Sequence, residues 1–232
     1  MRLLGVDGCR VGWLAVLRTV GTDPEVKWFR STEELFAGIN DADIVAIDIP
    51  IGLSDNGSRL ADMEARRLLA PTRSSSVFPA PVRAALEASS WEEASDLSAA
   101  ACGKRLSRQS FEIMWRIREV DGALRANTEL SSRVREIHPE VCFYFWNGRR
   151  PMAHAKRTPE GLAERRALIE SEFGPVLNEL WRSVPRGVAA MDDLADAFAA
   201  LWTANRIASG SALTVPAAPP CDRFGFPMQI VA

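Results

Sequence analysis

The stretch "DIVAIDIPIGL", residues 43–53, limits what this chain can fold into more than any other. It is a continuous apolar run, rich in β-branched residues, closed by Pro50 and Gly52 and carrying one internal acid, Asp48. A strand with one wet face alternates polar and apolar residues. An unbroken run reads as a strand buried on both faces, so helices are expected on both sides of its sheet. Three strands precede it, "RLLGVD" (2–7), "WLAVLRTV" (13–20) and "EVKWFR" (25–30), joined by the turns "GCRVG" and "GTDPE". In "STEELFAGI" (31–39), Ser31 and Glu34 stand in capping-box spacing, which predicts a helix before the buried strand.

Beyond Asp55 the texture becomes helical. "SRLADMEARRLLA" (58–70), "WEEASDLSAAACGK" (91–104) and one long helix, "RQSFEIMWRIREVDGALRA" (108–126), are expected, the last with Phe111, Trp115 and Ile117 to Val120 facing inward. Between the first two lies the Pro- and Ser-rich loop "PTRSSSVFPAPVR" (71–83). A short strand near Val134 to Ile137 is stopped by Pro139. A further helix (158–173) starts at a capping Thr158 followed by Pro159. The Pro-rich residues 213–232 are expected to wrap the surface and end on a short edge strand, "FPMQIVA". The whole reads as α/β: a mixed five-stranded sheet flanked by helices, one domain over 1–232, with 55–130 as a helical insertion or cap after the fourth strand.

The formal charge of -2 argues against a basic coat for nucleic acid, though not against a local basic groove. Four scattered cysteines without a C-x-x-C pair suggest free thiols in a reducing cytoplasm, and only two histidines make a Cys/His zinc site unexpected. No apolar run reaches membrane length. Trp146, Trp181 and Trp202 suit a core or a homodimer contact equally well.

The chemistry lies in the acids. "MDDLADAFAALWTA" (191–204) is apolar on nearly every side yet carries Asp192, Asp193 and Asp196 at its front. Asp192 or Asp193 can cap the helix; Asp196, a full turn inside, is costly there unless a cation or donor meets it. Three antiparallel strands, a helix and a strand parallel to the first form the opening of the ribonuclease H-like fold. In that fold the first and fourth strands are central neighbours, which brings Asp7 beside Asp48, and a late helix adds Asp193 and Asp196. Four such carboxylates cannot all ionise without cations, and two Mg2+ or Mn2+ ions roughly 3.5–4 Å apart would activate water against a phosphodiester. Three of the acids also have a plainer role: Asp7 as the first residue of a turn, Asp192 and Asp193 as caps.

Together "GVDGCRVGW", "AIDIPIGL", "SSVFPAPVR", "QSFEIMWRIREVD", "EIHPEVCF", "KRTPEG" and "DDLADAFAALWTA" resemble the DUF429 family, predicted nucleases of ribonuclease H-like fold, from Gly5 to Ala204. "DLADAFA" is also similar to the closing helix of RuvC-type resolvases, whose two metal-binding acids fall on Asp193 and Asp196. Asp7 matches the first-strand acid there, and Asp48 stands where those enzymes have Glu. The resemblance further implicates Glu140 as ligand or general base, unless it is only a first-turn helix acid, and His138 as a water-orienting or structural residue. Arg10, Lys156 and Thr158 become candidate phosphate contacts, Gln109 and Asp121 candidates for the cleft. The 71–83 loop, with Arg73 and Arg83, becomes a substrate-binding lid or a packed surface loop. The implied activity is a Mg2+- or Mn2+-dependent nuclease or phosphodiesterase acting on nucleic acid or nucleotide. The competing readings are a non-catalytic nucleic-acid or nucleotide-binding protein of the same fold and a phosphotransferase of the sugar kinase and actin type, whose first hairpin "GVDGCRVGWLAV" resembles.

Overall fold

The computed structural model describes residues 1–232. Strands β1 (Arg2–Cys9), β2 (Gly12–Thr19) and β3 (Glu25–Phe29) form an antiparallel meander. Helix α1 (Thr32–Gly38) starts where the Ser31 hydroxyl accepts the Glu34 N–H, and it leads into β4 (Ile44–Ile47), parallel to β1. The chain then runs through α2 (Leu60–Leu68), α3 (Trp91–Cys102), α4 (Arg108–Glu112), α5 (Met114–Ala126) and α6 (Thr128–Arg133) before β5 (Val134–Glu136), parallel to β4. Helices α7 (Pro139–Trp146), α8 (Pro159–Phe173), α9 (Leu177–Ser183) and α10 (Met191–Ala208) follow, then β6 (Thr214–Val215) and β7 (Ile230–Val231). The main sheet has the order β3-β2-β1-β4-β5, so β1 and β4 lie at its centre.

Separate apolar cores cover its two faces. Leu3, Leu14, Val16 and Ala46 pack into the core that holds α10, whereas Leu4, Val6, Val45 and Ile47 join Met114, Ile117 and Val120 of α5 on the other. In the first core Trp146 and Trp202 stack at 5.1 Å. No helix is long and apolar enough to cross a membrane.

Three local expectations need correcting. The buried run 43–53 is a ladder strand only to Ile47, because β5 offers three partners and Pro50 has no N–H to give. Ile49, Ile51 and Leu53 stay buried, and carboxylates replace the missing strand: Ile51 N–H donates to Glu136 Oε2 (2.6 Å) and Leu53 N–H to Asp222 Oδ2 (3.2 Å). The single helix over 108–126 is broken at Ile113. Counted from Met114, the inward face of α5 is Met114, Ile117, Val120, Asp121 and Leu124, which turns Trp115 outward, 44 % exposed beneath Arg116. The carboxy-terminal strand joins no edge of the main sheet; β7 pairs with β6 in its own two-stranded ladder.

Candidate functional site

Alternation along β1 puts Leu3, Gly5, Asp7 and Cys9 on the face that α10 covers. On β4 the same rule groups Ala46 with Asp48, one residue past the strand, whose N–H donates to Val6 O (2.9 Å). Asp7 and Asp48 therefore stand side by side at the carboxyl ends of adjacent central strands. Helix α10 reaches them because Gly5 has no side chain: a Cβ there would lie 2.0 Å from Leu201 N and 2.2 Å from Ala197 O. Alanines 195, 197, 199 and 200, all buried, keep the rest of that contact thin, and Asp196 comes down beside Asp7.

Crowding sets the protonation of this group. Burial, then the charges of Asp196 and Asp48, hold the Asp7 carboxyl well above the usual carboxylate range. Burial also raises Asp48, against relief from nearby His138 and Lys156 and from a hydrogen bond shared with Asp7. Asp196 is pushed up to about 6, burial outweighing the help of Lys156. The three acids share too little positive charge to ionise together.

The neighbouring candidates divide. Asp193 takes the capping role, its Oδ2 accepting Ala190 N–H at 2.8 Å, while its charge still reaches Asp7. Asp192 is buried and faces Arg157 Nε (3.2 Å) and Lys156 Nζ (3.9 Å). Glu140, in the first turn of α7, accepts from the fully buried Arg165, and its charge adds to the rise at Asp196. His138 places Nε2 3.3 Å from Ser76 O, and its Nδ1 is buried without a partner. Lys156 is drawn into the cluster, its ammonium bound to Asp196 Oδ2.

Other residues lie outside. Thr158 spends its hydroxyl capping α8, accepting from Gly161 N–H and donating to Ala155 O, both at 3.0 Å. Arg10 is exposed in the β1–β2 turn, Gln109 is exposed on α4, and Arg73 donates to Thr72 O. Asp121 does not face the cleft: it is buried in a two-pronged pair with Arg83, at 3.0 Å on each arm. Arg157, Arg165 and Asp222 escaped sequence reasoning altogether. Arg165 could have been noticed, since on "PEGLAERRALIESEF" it lies four residues after Gly161 and four before Ile169, on the inward face.

No three His, Cys, Asp or Glu side chains stand in a geometry that would hold a metal ion. The donor set nevertheless suits one. Six carboxylates, Asp7, Asp48, Glu140, Asp192, Asp193 and Asp196, meet only three cations in contact with them, Lys156, Arg157 and Arg165. Asp196 Oδ1 and Glu140 Oε2 are buried with no donor. An all-oxygen, under-neutralised cluster is the chemistry of hard divalent cations.

A family model described as a protein of unknown function (DUF429) matches residues 5–220, a span holding every residue of the cluster. No curated protein and no solved structure matches the chain.

Proposed function

Since this chain belongs to the DUF429 family, whose description carries no activity, we propose from the site itself that it is a metal-dependent phosphodiester hydrolase of ribonuclease H-like fold. One observation carries the reading: carboxylates from two adjacent parallel strands and a helix crossing them converge at Asp7, Asp48 and Asp196, and one buried oxygen of Asp196 has no donor. The strand order, with β1 and β4 central and parallel, supports the fold assignment.

Asp7, Asp48 and Asp196, with Asp193 beside them, would have to turn from their present positions toward a common point to hold a magnesium or manganese ion, which would supply a lowered pKa for a bound water and charge to stabilise the leaving oxygen of a phosphodiester. The protein's own part is positioning. The strands fix Asp7 and Asp48, α10 fixes Asp196, and Arg165 fixes Glu140 within charge range of Asp196. Arg157, largely exposed on the α7–α8 loop and facing Asp192, offers a basic contact beside this negative centre, suited to a phosphate of a nucleic acid or nucleotide.

A second reading, a phosphate-ligand-binding protein without catalysis, draws support from Lys156 standing among the carboxylates. Hydrolysis assays with manganese and magnesium on short single strands, duplexes, branched DNA and RNA separate the two. The expected result is metal-dependent cleavage by the wild type, reduced at least 100-fold in Asp48→Asn, on the order of the loss from removing one electrostatic stabiliser. Binding without cleavage of any of these would establish the second reading.

A further inference from the structure

We propose that Lys156 is a displaceable occupant of the cation position in the carboxylate cluster, so that a divalent ion enters by expelling its ammonium group. The inference rests on the reading of the cluster as a metal site and adds how that site is guarded.

The position of the ammonium group is the first ground. It binds Asp196, lies 3.9 Å from Asp192 and is close enough to Asp7 and Asp48 for its charge to act on both. Its side chain is only 35 % exposed. The second ground is the way the backbone delivers it. Thr158 ties back to Ala155 O, and Gly161 lets α8 sit on that same carbonyl, where a Cβ would lie 1.9 Å from the oxygen. Lys156 therefore springs from a pinned turn, while its own four-carbon stem remains free to swing.

The third ground is that lysine does the job incompletely. One positive charge leaves Asp196 Oδ1 and Glu140 Oε2 buried and unpartnered, and an ammonium can only donate along three directions. A divalent ion brings a second charge and takes oxygen ligands from all sides. A divalent ion and the ammonium on the same carboxylate repel each other, so binding of one weakens the hold of the other. Expelled, the ammonium swings outward on its own stem to solvent, where a substrate phosphate would receive it.

Manganese titration by calorimetry on the wild type and on Lys156→Met, which keeps the stem and loses the charge, tests this. Tighter binding in the variant by about tenfold, the scale of a removed neighbouring like charge, is expected. Equal or weaker binding in the variant, with the wild type still binding, overturns the displacement and leaves the metal site standing. If neither protein binds manganese, both the displacement and the metal site fall. A measurement on the wild type alone covers the case of a misfolded variant. Acylation of Lys156, followed by mass spectrometry, should speed up several-fold when manganese is added, and an unchanged rate at saturating manganese overturns the proposal.

Discussion

At the scale of single residues, Asp196 shows most clearly what burial does to a carboxylate. It is 1 % exposed, bound at one oxygen by Lys156 and left bare at the other. Its pKa of about 6 stands above the ordinary 3.8, so the folded chain holds this proton more firmly than the unfolded chain does. The stability that the proton brings is complete below about pH 4 and is lost as pH rises through about 6. Asp196→Asn should therefore raise the melting temperature of the metal-free protein at pH 7. Loss of the Lys156 ion pair offsets part of the gain, leaving a rise of about 2–4 °C, the scale of ~1 kcal/mol at this chain length. It should fade toward pH 4. Calorimetric melts in chelator across that range check it, and a lower melting temperature at pH 7 would mean that the carboxylate stabilises the fold. Asp196 was legible in the sequence because an acid one turn inside an apolar helix asks for a partner. That partner was not legible: nothing in "HAKRTPEG" marks Lys156 as the residue that folds inward, since its contact lies 40 residues away.

Among the elements, the pairing of β1 with α10 decides whether there is a site. The helix backbone rests on Gly5, and a methyl group there would meet Leu201 N, Ala197 O and Ala200 C at 2.0, 2.2 and 2.7 Å. Backbone cannot turn aside as a side chain can, so Gly5→Ala must lift the whole helix. A cost of about 3 kcal/mol or more is expected, with Asp196 carried away from Asp7. Urea denaturation should show the loss of stability, and manganese affinity should fall with it; wild-type stability in this variant would mean that α10 is seated elsewhere. The strands β1 to β3, the capped α1 and α8 and the apolar α10 were all readable, because their periodicity and caps are local signals. The end of β4 and the break at Ile113 were not. The first depends on how many partners β5 supplies, the second on how α5 turns to fill the core, and neither is written in the segment itself.

Across the whole molecule, a few buried charges bind distant segments. Asp222 accepts Leu53 N–H from the end of the central run, Arg83 from the loop before α3, and the N–H groups of Phe224 and Phe226 from its own turn. Through Arg83 it reaches Asp121 on α5, so one carboxylate fastens the carboxy-terminal strap, the sheet and the inserted helices. In sequence, "CDRFGFP" is only part of the Pro-rich surface wrap of residues 213–232. Asp222→Ala leaves Leu53 N–H bare and Arg83 with one acid in place of two; a loss of about 2–4 kcal/mol is expected. Thermal melts and faster proteolytic nicking within 220–232 would register it, and an unchanged melt would show the strap to be dispensable. The seating of α10 on Gly5 has a further consequence, in time rather than space. Asp196 leaves the ribosome almost 190 residues after Asp7, and until then one face of the central strands lacks the helix that covers it. Long-range docking of this kind comes late in folding. A nascent chain, still attached to the messenger that encodes it, lacks the third acid until α10 has been made, so the cluster is completed only after that helix docks.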